Sequence, residues 1–116
     1  HKVTFVEKNF EHFDKLKSYI EKLNATEEIS IINKDVLAWL DEANDEFDLI
    51  FVDPPFYETL AEKVLLKIKR NSLLAKSGNI YLEVEKDLDL SFLENNWEVI
   101  KETNSGKKQY LLLKEK

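Results

Sequence analysis

Asp53, Pro54, Pro55 and Phe56 bring together, in four consecutive positions, a carboxylate, two residues without a backbone N–H and an aromatic ring. A carboxylate and bare carbonyls can accept hydrogen bonds from an amine, and a ring offers a flat apolar surface to another ring. Proline fixes φ and removes a donor, so neither Pro54 nor Pro55 can continue a central strand or sit inside a helix. The residue before each proline is pushed out of the α region as well. The four residues therefore predict a stiff, extended loop, with Tyr57 adding a second ring. Asp-Pro-Pro also serves as a plain turn that closes a strand.

The elements that must hold this loop follow from the hydrophobic period. The apolar run at 49–52 leads straight into Asp53 and predicts a strand buried on both faces. A loop at the carboxyl end of such a strand is where open α/β sheets bind ligands. Upstream, residues 3–7 predict a strand that ends in the acid Glu7. Phe13, Leu16, Ile20 and Leu23 then fall three and four apart, one apolar helix face, with Asn9 as N-cap and Asn24 at the C-terminal end. Residues 29–32 predict a second strand, ending at Asn33-Lys34-Asp35, and 36–43 a short helix carrying Leu37, Trp39 and Leu40.

Beyond the loop, a helix from about 58 to 70 presents Leu60, Val64, Leu65 and Ile68 inward. Ser77-Gly78 is expected to turn the chain into a strand at 79–84, and 88–93 to form a brief helical piece. Residues 97–102 and 109–114 flank the turn-rich Asn104-Ser105-Gly106 and suit an antiparallel hairpin. Strand–helix alternation followed by a hairpin predicts a single α/β domain over residues 1–116, a mostly parallel sheet with helices on both faces and an antiparallel edge. Glu7, Asp35 and Asp53 each follow a successive strand, so such a sheet would bring three acids to one crevice.

The composition narrows the class. The chain has 116 residues, 43% hydrophobic and 34% charged, enough for one domain with a real core. Cysteine is absent, which excludes disulfides and thiolate metal sites and fits a reducing compartment such as the cytoplasm. No run reaches the length of a membrane span, and no signal peptide is visible. The formal charge of -6 argues against a stand-alone nucleic-acid clamp but leaves room for an enzyme with a local basic rim. The chain begins with His1 and has no methionine, so its first residue does not look like a native start. Its two glycines, Gly78 and Gly106, lie in no glycine-rich phosphate cradle.

Four stretches taken together have a familiar pattern: Val6-Glu7-Lys8-Asn9, Asn33-Lys34-Asp35-Val36, Asp48 through Tyr57, and Gly78-Asn79-Ile80-Tyr81-Leu82-Glu83. In order and spacing, along essentially the whole chain, they resemble the S-adenosylmethionine-dependent methyltransferases. More narrowly, they resemble the small bacterial 16S ribosomal RNA guanine-N2 methyltransferases. The Asp-Pro-Pro-aromatic element is the specific part; acids after strands are generic to the fold. The resemblance implies a Rossmann-like class I methyltransferase sandwich of three layers, S-adenosylmethionine as cofactor and no metal. It implies 16S ribosomal RNA or the assembling small ribosomal subunit as partner, and a cytoplasmic monomer with no membrane attachment.

Carried over residue by residue, the resemblance implies that Glu7 accepts hydrogen bonds from the cofactor's ribose hydroxyls. Asp35 would bind the adenine amino group with Val36 against the ring, and Lys8 and Asp53 would complete the cofactor set. Asp53 and the Pro54 carbonyl would accept the two N–H groups of the target amine. Pro55, Phe56 and Tyr57 would shape the pocket for the extruded base, Phe56 or Tyr57 stacking on it.

Each residue also has a plain structural use. Glu7 can be a solvated strand-end acid, Asp35 an N-cap, and Tyr57 a helix-start packing residue. Trp39 and Trp97 suit packing, while Lys63, Lys67, Lys69, Arg70, Lys107 and Lys108 suit solvated surface. The family's opening strand and its Asp-x-x-x-Gly-x-Gly loop have no match, so the chain reads as lacking its N-terminal part, and the 116 residues alone are expected to be inactive. Two alternatives share the same residues: adenine-N6 methylation of DNA, and a non-catalytic binding fragment of the same fold.

Overall fold

At Asn9 the strand period gives way to the helical one, and the backbone follows. The computed structural model describes residues 3–27, 29–55 and 59–116. It divides into two units, His1–Glu42 and Ala43–Lys116. In the first unit, β1 (Val3–Val6) and β2 (Ile29–Ile32) pair in parallel, in register from Val3↔Ile29 to Val6↔Ile32. Helix α1 (Phe10–Lys22) connects them in sequence, and α2 (Val36–Glu42) follows β2. Asn9 caps α1: its Oδ1 accepts from the His12 N–H at 3.0 Å, satisfying a donor the helix cannot pair itself. The helix ends where Asn24 adopts φ 56°. The Asn24 N–H then donates to the Glu21 carbonyl and the Ala25 N–H to that of Ile20, the paired bonds of a Schellman motif. Ile20 and Leu40 are the buried apolar residues of this unit, with Phe13 and Leu16 half-buried.

The second unit orders its strands β3-β4-β6-β5: β3 (Phe47–Val52), β4 (Leu74–Glu85), β5 (Trp97–Ser105) and β6 (Lys108–Glu115). The β3–β4 pair is parallel; β4–β6 and β5–β6 are antiparallel. Because side chains alternate along a strand, Ile50, Val52, Ile80, Leu82, Val84, Leu111 and Leu113 share one face. All of them except the half-buried Ile50 are buried. Helix α3 (Leu60–Arg70) packs on β4 and buries Ala61, Val64, Leu65 and Ile68, a stripe at spacings of three and four. It closes with a second Schellman motif, Ser72 taking φ 54° and the buried Leu73 donating to the Ile68 carbonyl. Trp97 is buried at the start of β5, and Gly106 (φ 62°) turns the hairpin into β6.

The expected α/β architecture, parallel pairing plus a terminal hairpin, is present, with the strands gathered into two sheets, one per unit. Four local expectations change. Residues 49–52 are not buried on both faces: Val52 is buried, whereas Leu49 is 50% and Phe51 70% exposed. β3 is an edge strand, and α3 covers only one face of its sheet. Leu23 is 75% exposed because α1 ends at Lys22 and Leu23 already belongs to the cap. Ala61, rather than the half-buried Leu60, completes the inner stripe of α3.

Ser77-Gly78 does not turn the chain into a new strand. It lies inside β4, where the pairing jumps from Phe47↔Leu74 to Leu49↔Asn79, a bulge. A Cβ at Gly78 would lie 2.9 Å from the Asp48 carbonyl oxygen and 2.8 Å from Leu74 Cδ1, so only glycine admits this approach of β3 to β4. Gly78→Ala is therefore expected to cost about 1–3 kcal/mol of unfolding free energy, the range for overpacking a closed site. Chemical denaturation checks this, and an unchanged midpoint would contradict it.

Candidate functional site

Parallel pairing brings strand ends together, and each unit gathers acids at the carboxyl end of its parallel pair. In the first unit, the Glu7 N–H donates to the Ile32 carbonyl at 2.9 Å, one step beyond the Val6↔Ile32 pair. Asn33, at the end of β2, ties the two strand ends together: its Nδ2 donates to the carbonyls of Glu7 (2.9 Å) and Lys8 (3.0 Å). Glu7 Oε1 accepts from the Asn9 N–H at 3.0 Å and lies 3.8 Å from His12 Nδ1. Among the described residues these contacts engage Oε1 and not Oε2. Asp35 Oδ2 accepts from the Ala38 N–H at 3.2 Å, so Asp35 does cap the start of α2. Asp35 and Lys8 are exposed, and Val36 is half-buried. Glu7 and Asp35 thus lie at one edge of the first unit's sheet, each with one carboxylate oxygen given to local backbone.

In the second unit, Val52 pairs with Leu82, so the next residues, Asp53 just past the end of β3 and Glu83 near the end of β4, stand side by side. The two carboxyls interact electrostatically, Glu83 acting to raise the Asp53 pKa. Lys108, on β6, brings its Nζ to 3.2 Å from Glu83 Oε2. Phe51, Tyr81 and Tyr110 extend from this trio along the same sheet face, with ring centroids 5.6 Å and 6.2 Å apart in turn. Pro54 is half-buried and Pro55 exposed. Phe56 and Tyr57, to which base stacking is assigned, lie outside the described residues, as does Glu58.

The charge pattern follows from this geometry. Partial desolvation, then the hydrogen bond to Glu83, then the repulsion between two adjacent carboxylates hold the Asp53 carboxyl above its ordinary value. The Lys108 ammonium pulls it part of the way back. Lys108 is itself held above its usual value, first by its hydrogen bond to Glu83 and then by the Glu83 charge. One ammonium beside two carboxyls can neutralise only one of them, so a proton stays on the pair to higher pH than it would on a lone Asp.

Sequence reasoning found Asp53 and missed this trio. Lys108 is not the plain hairpin surface it was expected to be, because Gly106 turns β6 back so that its first residue reaches Glu83. The signal was present: Glu83 follows the apolar alternation of Ile80-Tyr81-Leu82 just as Asp53 follows that of β3. Finding it needed the register of a parallel pair, which a bulge at Gly78 conceals. On α3, Lys69 is paired to Glu115 at 3.3 Å, a local structural contact.

The fold is that of the class I methyltransferases. A ribosomal protein L11 methylase from Lactobacillus delbrueckii shares it over 99% of this chain and 58% of its own, with a TM-score of 0.75 at 20% identity. The family model described as conserved hypothetical protein 95 matches residues 1–114, and the chain belongs to that family. The ribosomal RNA small subunit methyltransferase D of Haemophilus influenzae is 35% identical over 114 residues, covering 96% of this chain and 58% of that relative. The crystal structure of a candidate methylase from the same organism superposes with a TM-score of 0.87 at 34% identity, covering 97% of this chain and 71% of the other. The chain thus spans somewhat more than half the length of the curated relative. No helix among the described residues is long and apolar enough to cross a membrane.

The raised Asp53 pKa carries a stability consequence. The folded state holds this proton to higher pH than the unfolded chain does, so folded protein binds more protons and stability falls as pH rises through the folded pKa. Asp53→Asn removes that term. The variant is expected to melt above the parent at pH 7, with a margin that closes as pH falls below the unfolded Asp value. Thermal melts across this range check the sign; a variant that melts lower than the parent at pH 7 would contradict it.

Proposed function

We propose that this chain carries the catalytic region of an S-adenosylmethionine-dependent methyltransferase that acts on the exocyclic N2 amine of a guanine in 16S ribosomal RNA. The observation that carries the proposal is the placement of Asp53, followed by two prolines, at the carboxyl end of β3 beside Glu83. The similarity to ribosomal RNA small subunit methyltransferase D supports the substrate class. The whole of residues 1–116 is taken as one methyltransferase domain.

The residues of the first unit fit such a cofactor by the chemistry of their acceptors. Glu7 keeps Oε2 for a ribose hydroxyl while Asn9 and Asn33 hold its backbone and Oε1 in place. Asp35, with Oδ2 on the α2 cap, keeps Oδ1 for an adenine amino group, and Val36 offers an apolar surface. Lys8, exposed at the end of β1, completes this set. The cofactor, when bound, supplies an electrophilic sulfonium methyl group.

The chain's own groups prepare the amine. An aromatic amine is a poor nucleophile because its lone pair is delocalised into the ring. Asp53 and the Pro54 carbonyl accept its two N–H groups, draw the nitrogen toward a tetrahedral shape and aim its lone pair. Positioning of this kind contributes several kcal/mol of barrier lowering without a strong base. Pro54 and Pro55 keep the loop extended and bring no N–H to compete for these acceptors. Pro55, Phe56 and Tyr57 receive the base once it has left its stack, and a stacked ring recovers roughly 1–3 kcal/mol of that cost.

The direct test is methyl transfer from labelled cofactor by the full-length protein to matched RNA and DNA, followed by identification of the modified base. N2-methylguanine in 16S RNA is expected. N6-methyladenine in DNA would overturn the base assignment, and absence of both transfer and cofactor binding would make the chain a non-catalytic module. Asp53→Ala is expected to lower transfer about a hundredfold or more, in the range for losing a positioned acid–base group, with cofactor affinity largely kept. Equal loss of both would count against the assigned role.

A further inference from the structure

We propose that Glu83 is a positioning residue for Asp53: it holds the Asp53 carboxyl through a shared proton and takes over the proton that the target amine releases, while Lys108 fixes Glu83 from the other side. The inference rests on the methyltransferase reading of the Asp53 loop and adds to it two residues outside that loop.

Three features of the second unit carry it. The Val52↔Leu82 register sets Asp53, the first residue past β3, beside Glu83 within β4, so their separation follows from strand spacing. Glu83, the middle member of the trio, is better shielded than Lys108, its side chain 18% exposed against 42%. Lys108 reaches Glu83 diagonally, since its direct partner across the ladder is Glu85 and that of Glu83 is Tyr110. Among the described residues, the charged and titratable groups on this sheet face around Asp53 are therefore Tyr81, Glu83 and the buried Glu85 from β4 and Lys108 and Tyr110 from β6. Only one of these is a cation.

A single proton on the carboxyl pair leaves the trio neutral, with Glu83 paired to Lys108 and Asp53 donating to Glu83. One Asp53 oxygen is thereby tied down and the other is left as the acceptor for an amine N–H. When the amine nitrogen takes the methyl group, the carbon–sulfur bonding pair stays on sulfur and the nitrogen must shed one proton. That proton passes to the free Asp53 oxygen, and the proton Asp53 already carried passes to Glu83. Asp53 ends as it began, with one proton. Glu83 is left neutral, and solvent then takes its proton.

The test uses the full-length protein and two substitutions of opposite sign. Carbon-detected NMR of labelled aspartate carboxyls follows Asp53 in the parent, in Glu83→Gln and in Lys108→Met. The Asp53 titration is expected to move down in Glu83→Gln, which removes the partner that retains its proton, and up in Lys108→Met, which removes the nearby cation. In methyl transfer, Glu83→Gln is expected to lower kcat about tenfold to a hundredfold, a proton-transfer effect, with the KM for RNA within a factor of two. The alkaline limb of the pH–rate profile, where the pair loses its proton, should shift in the same directions as the titration. Transfer by the parent with Asp53 unmoved by either substitution overturns the proposal, as does an unchanged kcat in Glu83→Gln. No transfer by the parent, with Asp53 still responding to both substitutions, overturns the relay through the methyltransferase reading and leaves only the pairing.

Discussion

The parallel pairing of β3 with β4 is the constraint on which the second unit and its site both depend. Its register sends Ile50, Val52, Ile80 and Leu82 to the face that α3 covers, and the same register sets Asp53 beside Glu83. A slip of one residue would turn the apolar set outward and separate the carboxyls at once. Core and site are therefore secured by one set of hydrogen bonds. Gly78 belongs to this constraint although it is far from the chemistry in function: without it the bulge that brings β4 into register meets the Asp48 carbonyl.

The site stands against the grain of stability. Two carboxyls side by side with one ammonium hold the Asp53 carboxyl above its ordinary pKa, and ionising it in the folded state costs stability. A chain selected for stability alone would place an amide at position 53. What the arrangement provides is a carboxyl set beside Glu83 by the strand register, in a loop whose prolines offer no competing donor. A carboxyl whose pKa is displaced by burial and a specific neighbour marks a candidate functional site. The first unit uses a gentler device: Asn33 and Asn9 hold the backbone around Glu7 by neutral hydrogen bonds.

Much of this was legible in the sequence where local chemistry decides the outcome. Asn9 announces the start of α1 because its side chain can satisfy a helix donor, and Asn24 its end because Asn tolerates the left-handed region. The stripe Val64, Leu65, Ile68 is read from helical period alone. Legibility fails where the outcome depends on a partner distant in sequence. A continuous apolar run cannot say that β3 is an edge strand with Leu49 and Phe51 on an uncovered face. Ser77-Gly78 looks like a turn because glycine permits one, yet here glycine permits close approach within a strand. Likewise Asp53 stands out beside its prolines, whereas Glu83 and Lys108 acquire meaning only when strands separated by dozens of residues lie in register. Of the two uses expected for Asp35, the backbone contact at the start of α2 is the one present, its Oδ2 accepting from the Ala38 N–H.

The central claim is that the Asp53 carboxyl and the Pro54 carbonyl grip an exocyclic amine. The most direct measurement is a crystal structure of the full-length protein with the demethylated thioether form of the cofactor and a guanine-containing RNA fragment. The account predicts the guanine N2 within hydrogen-bond distance of both an Asp53 Oδ and the Pro54 carbonyl oxygen, with the second Asp53 oxygen still on Glu83. A guanine held by other acceptors, with Asp53 turned away from its amine, would contradict it.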